Sequence, residues 1–148
     1  MSDIFVRYFR KEDAERVASF LPHLTTNIVR PNQLVQRLQK LSRAQNDDMG
    51  GFQYFVAEED GLVISFGGLH WKTIPSKGLV TEYEELVTDK AHEGKGAMKK
   101  IMRALDHLAV ELGSAQTKLT TSGAKLMYEK DGFVVKDEVL MIKKYYQI

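Results

Sequence analysis

The sequence predicts a mixed domain of the α/β (α+β) kind, and three observations lead there. Apolar spacing switches between strand and helix periods in the order strand, two helices, three strands, helix, strand, helix, strand. The turn Glu59-Asp60-Gly61 separates two runs of β-branched and aromatic residues, the signal of an antiparallel hairpin. Late in the chain a strand, a long helix and another strand follow one another, the pattern of a parallel crossover.

Each element has its own signal. Ile4 to Phe9 is β-rich, and Lys11 to Leu21 turns helical with Ala14, Val17, Ala18 and Leu21 on one side. After Pro31, the stretch NQLVQRLQKLSRAQ sets Leu34, Val35, Leu38 and Leu41 on one stripe and Arg37, Lys40 and Arg43 off it, an amphipathic helix with a solvated basic face. Phe52 to Glu58 and Leu62 to Trp71 form the hairpin, and Gly67-Gly68 inside its second strand predicts a bulge or a close backbone approach. Leu79 to Thr88 reads as a fourth strand carrying Glu82, Glu84 and Glu85. From Ala97 an apolar stripe through Met98, Ile101, Met102, Leu105, Leu108, Ala109 and Leu112 predicts a long helix that Gly113 can cap. Gln116 to Thr120 reads as a short strand, Gly123 to Lys130 as a short helix and Glu138 to Tyr146 as a last strand. The loose stretches 21–27, 45–51 and 73–78 are too short for linkers, so residues 1–148 are expected to form a single domain.

Composition excludes several classes of function. With 21 basic and 20 acidic residues, no whole-molecule field draws in nucleic acid or an anionic membrane. With no cysteine there is neither a disulfide nor a thiol nucleophile. The first residues lack the apolar core of a signal peptide, no run is long enough to span a bilayer, and a soluble, cytoplasmic protein is expected. The four histidines are scattered, and no His, Asp and Glu set has metal-ligand spacing.

One stretch carries chemistry. Residues 92 to 100 read HEGKGAMKK, two glycines just before a helix. A helix start leaves backbone N–H groups unpaired at the positive end of the dipole, and glycine lets a phosphate approach them.

That turn, the strand ahead of it and two further stretches resemble the GNAT superfamily of acyl-CoA-dependent N-acyltransferases. ELVTDKAHEGKGAM occupies the place of the superfamily's Arg/Gln-x-x-Gly-x-Gly/Ala fingerprint, AKLMYEKDGF (124–133) resembles its aromatic-Tyr helix and Gly-Phe turn, and IFVRYFRKEDAERVASFL resembles its first strand and helix. Together they cover nearly the whole chain. Glu93 and Met98 depart from the fingerprint, standing where Arg or Gln and Gly or Ala are usual, with Lys95, Lys99 and Lys100 close enough to offset the charge of Glu93.

The resemblance implies a mostly antiparallel central sheet of about six to seven strands, helices on both faces, and a fourth and fifth strand that splay apart to admit acetyl-CoA as cosubstrate. It implies that Leu86, Val87 and Thr88 bond the pantetheine arm, and that the backbone of Glu93, Gly94, Lys95, Gly96, Ala97 and Met98 cradles the pyrophosphate. Thr121 or Ser122 falls where the superfamily often has a polar residue near the pantetheine, and a helix N-cap is the other reading. Tyr128 matches the general acid that protonates the departing thiolate, with a half-buried aromatic anchor as its structural alternative. For the base, Glu82 and Glu84 share one face of the fourth strand, with Glu85 on the other unless a bulge intervenes, and Glu84 is favoured, directly or through water. His70 is a candidate to line the acceptor side, whereas His23, His92 and His107 look like surface residues.

The activity implied is N-acetyl transfer from acetyl-CoA to a small-molecule or peptide primary amine by direct attack, with a homodimer left open. The departures at Glu93 and Met98 keep a non-catalytic acyl-CoA-binding or regulatory module on the same fold as the alternative.

Overall fold

In the computed structural model, which describes residues 3–43, 45–47, 49–121 and 124–145, six strands build one sheet. They are β1 (Ile4–Tyr8), β2 (Gln45–Asp47), β3 (Gly50–Glu59), β4 (Leu62–Ile74), β5 (Gly78–Thr88) and β6 (Thr117–Lys118). The order across the sheet is β1-β3-β4-β5-β6. β2 pairs with residues 50–52 of β3 and β1 with residues 55–59 of it, so the two share one edge and the sheet is five strands wide. All pairings are antiparallel except that of β5 with β6.

Among the described residues four α-helices cover the two faces: α1 (Ala14–Phe20), α2 (Leu34–Lys40), α3 (Ala97–Glu111) and α4 (Lys125–Lys130). On one face Val17, Phe20 and Leu38 from α1 and α2 pack with Tyr54, Val56, Phe66 and Val87. On the other, Ala97, Ile101, Leu105 and Ala109 of α3 and Tyr128 of α4 pack with Ile64, Leu69, Trp71 and Tyr83. Fully buried aliphatics such as Ile101 and Leu105 each contribute about 1.5–3 kcal/mol. At the C-terminal end of α3, Ser114 N–H bonds the Ala109 carbonyl and Gly113 N–H the Val110 carbonyl, the paired bonds of a Schellman cap.

The sequence signals are realised with three adjustments. The tight turn at Asp60-Gly61 joins β3 to β4 with both residues at positive φ, as the acidic-glycine signal predicts. The second helix is shorter than its pattern: α2 ends at Lys40, and Gln45 starts β2 instead, inside a stretch expected to be loose. The expected last strand, Glu138 to Tyr146, is corrected, since residues 138–145 form no strand and Tyr146 lies outside the described residues. A strand needs a partner edge, and β6, only two residues long, offers almost none. Among the described residues no helix is long and apolar enough to cross a membrane.

Candidate active site

The site begins where the β4–β5 ladder breaks. Phe66 pairs with Val87 but Gly68 with Glu84, so β5 carries one residue more than β4 across this step, a β-bulge. Two glycines let the chain come close around it. A Cβ on Gly67 would sit 2.6 Å from the Leu86 side chain, and one on Gly68 would fall on the Tyr54 ring. Glu85, at the bulge, has φ 58°, unusual for a residue with a side chain. On its far edge β5 meets β6 only at Thr81 and Glu82. Thr81 anchors that meeting through its hydroxyl, 2.6 Å from that of Thr117, and its N–H, 3.0 Å from the Gln116 carbonyl. Among the described residues no strand pairs with the β5 backbone from Glu84 to Thr88 on that side. Leu86 packs toward α3, Val87 is buried toward α1, and the Thr88 hydroxyl lies 2.8 Å from that of buried Ser65.

This open edge leads into the glycine turn. Asp89 bonds the Arg16 guanidinium at 2.6 Å and caps a short 3-10 turn (Lys90–His92) by accepting from Ala91 N–H. Burial works against the Asp89 carboxylate, yet the bonds from Arg16 and Ala91 outweigh it and hold its pKa below the usual value. Gly94 and Gly96 then adopt φ 79° and 83°, with open space where their Cβ atoms would be. No side chain caps α3, and its first bond runs from Lys100 N–H to the Gly96 carbonyl at 3.2 Å. The N–H groups of Ala97, Met98 and Lys99 are thus left at the helix mouth. The lysines do not all crowd this mouth: Lys95 Nζ bonds Glu59 at 2.8 Å and lies 3.0 Å from His92 Nδ1, while Lys100 Nζ bonds the Ile4 carbonyl at 3.0 Å. Glu93 is exposed and Met98 packs against the α3-side core. An acyl-CoA fits these observations: bare glycine backbone and free N–H groups suit a pyrophosphate, and an unpaired strand edge suits an amide-bearing arm.

Tyr128 and Glu84 flank the open edge from opposite faces. Tyr128 is buried on the α3 side, its ring 6.0 Å from that of Phe133 in an edge-on contact, and burial raises its pKa. Glu84 faces α1 and α2, opposite Gly68 and beside Tyr54. Burial and the nearby carboxylates of Glu82 and Glu85 raise its pKa, with Lys118 opposing. The bulge turns Glu85 to this face as well, where it acts on Tyr54 and feels Arg37 of α2. Thr121 Oγ1 accepts from Ala124 N–H at 3.1 Å, serving as a cap ahead of α4, and Ser122 lies outside the described residues.

Where Phe52 of β3 pairs with His70 of β4, an open groove of about 750 Å³ is lined by Asp47, Met49, Gly51, Phe52, His70 and Trp71. His70 stacks on Phe52, its Nε2 lies 2.6 Å from the Tyr54 hydroxyl, and it pairs in register with Glu82. Of the other histidines, His107 is exposed and pairs with Glu111, and His23 approaches Asp89 at 4.0 Å. Among the described residues no group of three His, Cys, Asp or Glu is placed to hold a metal. The sequence signal did not disclose the Tyr54–His70 bond, the Arg16–Asp89 clamp or the Lys95–Glu59 pair, because each depends on cross-strand register or on segments far apart in the chain.

The comparisons agree with this geometry. Over 95% or more of the chain the fold matches solved acetyltransferases: one from Trypanosoma brucei (TM-score 0.77, 21% identity, 96% of this chain and 100% of that one) and a glucosamine-6-phosphate N-acetyltransferase from Arabidopsis thaliana (TM-score 0.78, 24% identity, 97% and 99%). An aminoglycoside N-acetyltransferase in complex with CoA matches with TM-score 0.77 at 16% identity, covering 99% and 97%. No curated protein sequence matches. Residues 50–135, more than half of the chain, match the acetyltransferase (GNAT) domain, and the chain therefore belongs to the GNAT acetyltransferases.

Proposed function

We propose that residues 1–148 act as one domain that transfers an acetyl group from acetyl-CoA to a primary amine by direct attack. The observation that carries the reading is the continuity of the unpaired β5 edge with the open glycine turn and uncapped start of α3. The backbone of Leu86, Val87 and Thr88 pairs with the pantetheine, the N–H groups from Glu93 to Met98 hold the pyrophosphate, and Thr121 borders the arm from the far side. Bound there, acetyl-CoA supplies the activated thioester.

The chain's own groups then divide the proton work. Glu84, raised in pKa and set on the acceptor face, takes a proton from the ammonium, directly or through water, so that the amine attacks as a neutral nucleophile. Tyr128, protonated at neutral pH, gives its proton to the sulfur as the thiolate leaves. With no cysteine in the chain, no thiol of the protein carries the acetyl group.

The test is thiol release from acetyl-CoA across a panel of primary amines. Release that depends on an amine supports the reading, whereas thermal stabilisation by acetyl-CoA with no amine-dependent release makes the chain a binding module on the same fold.

A further inference from the structure

A carboxylate stands beside the turn where an anion is to bind. In β3 the alternate residues Phe55, Ala57 and Glu59 pair with Tyr8, Val6 and Ile4 of β1, and Phe55, Ala57 and Ile4 lie in the core beneath α3. Strand alternation therefore carries Glu59 to the same face, where it meets the turn that opens α3. Its side chain, 15% exposed, accepts from Lys95 Nζ at 2.8 Å, and Lys95 Nζ also lies 3.0 Å from His92 Nδ1. A negative charge next to a diphosphate lowers its affinity by repulsion. Glu59 is thus ill placed as a ligand of the phosphate and well placed as a partner of Lys95.

The surroundings of Lys95 show what that partnership does. It is the one residue between Gly94 and Gly96, which both take left-handed backbone with nothing within 4 Å of their Cβ positions. Glycine restricts the chain least, so such a turn keeps one shape only when it is anchored from outside. Its start is fixed by the bond from His92 N–H to the Asp89 carbonyl at 2.8 Å and by the pairing of Asp89 with Arg16. Its end runs into α3. Between these two ends Lys95 reaches across to Glu59, 36 residues earlier in the chain.

We propose that Glu59 is a positioning residue for acyl-CoA: by holding Lys95 it fixes the glycine turn in the shape that receives the pyrophosphate on backbone N–H groups. Lys95 then serves the site as an anchor and not as a phosphate ligand. The inference rests on the placement of the pyrophosphate above and adds a residue of β3 that acts there through another. Ordering the turn before the ligand arrives lowers the cost of binding.

The test is calorimetric titration with CoA of the parent, Glu59→Ala, Lys95→Ala and the double variant. Each single variant should weaken CoA about fivefold, the scale of one partly exposed ion pair. The double variant should bind no worse than either single one, because both remove the same anchor. A lysine that bound the diphosphate directly would give opposite signs, since Glu59→Ala would free its ammonium and tighten CoA while Lys95→Ala would loosen it. That pattern, or an affinity in Glu59→Ala equal to the parent's, overturns the inference and leaves the pyrophosphate site standing; no binding of CoA by the parent overturns both. Two readouts on the folded protein separate positioning from stability alone. In Glu59→Ala the KM for acetyl-CoA should rise about fivefold with kcat kept at saturation, and nitrogen-15 relaxation should show Gly94 to Gly96 more mobile with Ile101 unchanged. Unchanged mobility at the turn would refute the anchor.

Discussion

Replacing Gly96 by leucine separates the cost of backbone strain from the loss of a phosphate site. Gly96 has φ 83°, and nothing lies within 4 Å of the position its Cβ would take. The substitution therefore meets no clash in the free protein, and its penalty is the left-handed backbone alone, about 1–2 kcal/mol. For a chain of 148 residues this lowers Tm by roughly 2–8 °C. Gly78, the first residue of β5, has φ 82° and equally open surroundings, which makes Gly78→Leu the matched control. Both variants should lose similar stability. Acetyl-CoA at about a hundred times its Kd adds about 2.7 kcal/mol to the folded state, or roughly 5–11 °C for a domain of this size. Thermal melts with and without acetyl-CoA should show that rise in the parent and in Gly78→Leu, and lose it in Gly96→Leu, where the side chain blocks the approach to the backbone. A full rise in Gly96→Leu would refute the placement of the pyrophosphate.

Two further substitutions probe the acceptor face. Gly68→Ala drives a methyl into the Tyr54 ring and should cost about 1–3 kcal/mol in denaturant unfolding; because Tyr54 holds His70, the variant should also raise the KM of the amine more than that of acetyl-CoA, and equal effects on both would count against the groove. Glu84 titrates above the ordinary carboxylate range when folded, so between that range and its raised value the folded state binds more protons than the unfolded one, and stability falls as pH rises. Glu84→Gln should flatten this slope and be the more stable protein at neutral pH while losing roughly a hundredfold in kcat; undiminished turnover would remove Glu84 as the base.

Much of this molecule is legible in its sequence because its signals are local. Asp60-Gly61 sets the hairpin, Gly113 the end of α3, and paired glycines at 67–68 and 94–96 mark the places where backbone must come close or stay bare. The parity of the fourth strand put Glu82 and Glu84 on one face; Gly67 and Gly68 mark a close backbone approach, and the extra residue of the bulge opposite them lies on β5, which accounts for Glu85 joining that face. Register across strands is not local. Nothing in Phe52 to Tyr54 announces that Tyr54 meets His70, because that meeting depends on the exact offset of β3 against β4. Charge partners are hidden for the same reason: Lys95, read as a neighbour of the phosphate, is held by Glu59 from the end of β3. The apolar run after Glu138 has a strand's composition, but no edge of the sheet receives it among the described residues.

The most direct test of the proposed catalysis is Tyr128→Phe, assayed for both acetyl-CoA binding and amine-dependent thiol release. The ring still fills its place among Tyr83 and Phe133, so the fold and the melting shift with acetyl-CoA should match the parent. Only the proton donor is lost, and turnover should fall roughly ten- to a thousandfold with the KM for acetyl-CoA little changed. Turnover equal to that of the parent would contradict the assignment and return Tyr128 to the role of a buried aromatic anchor for α4.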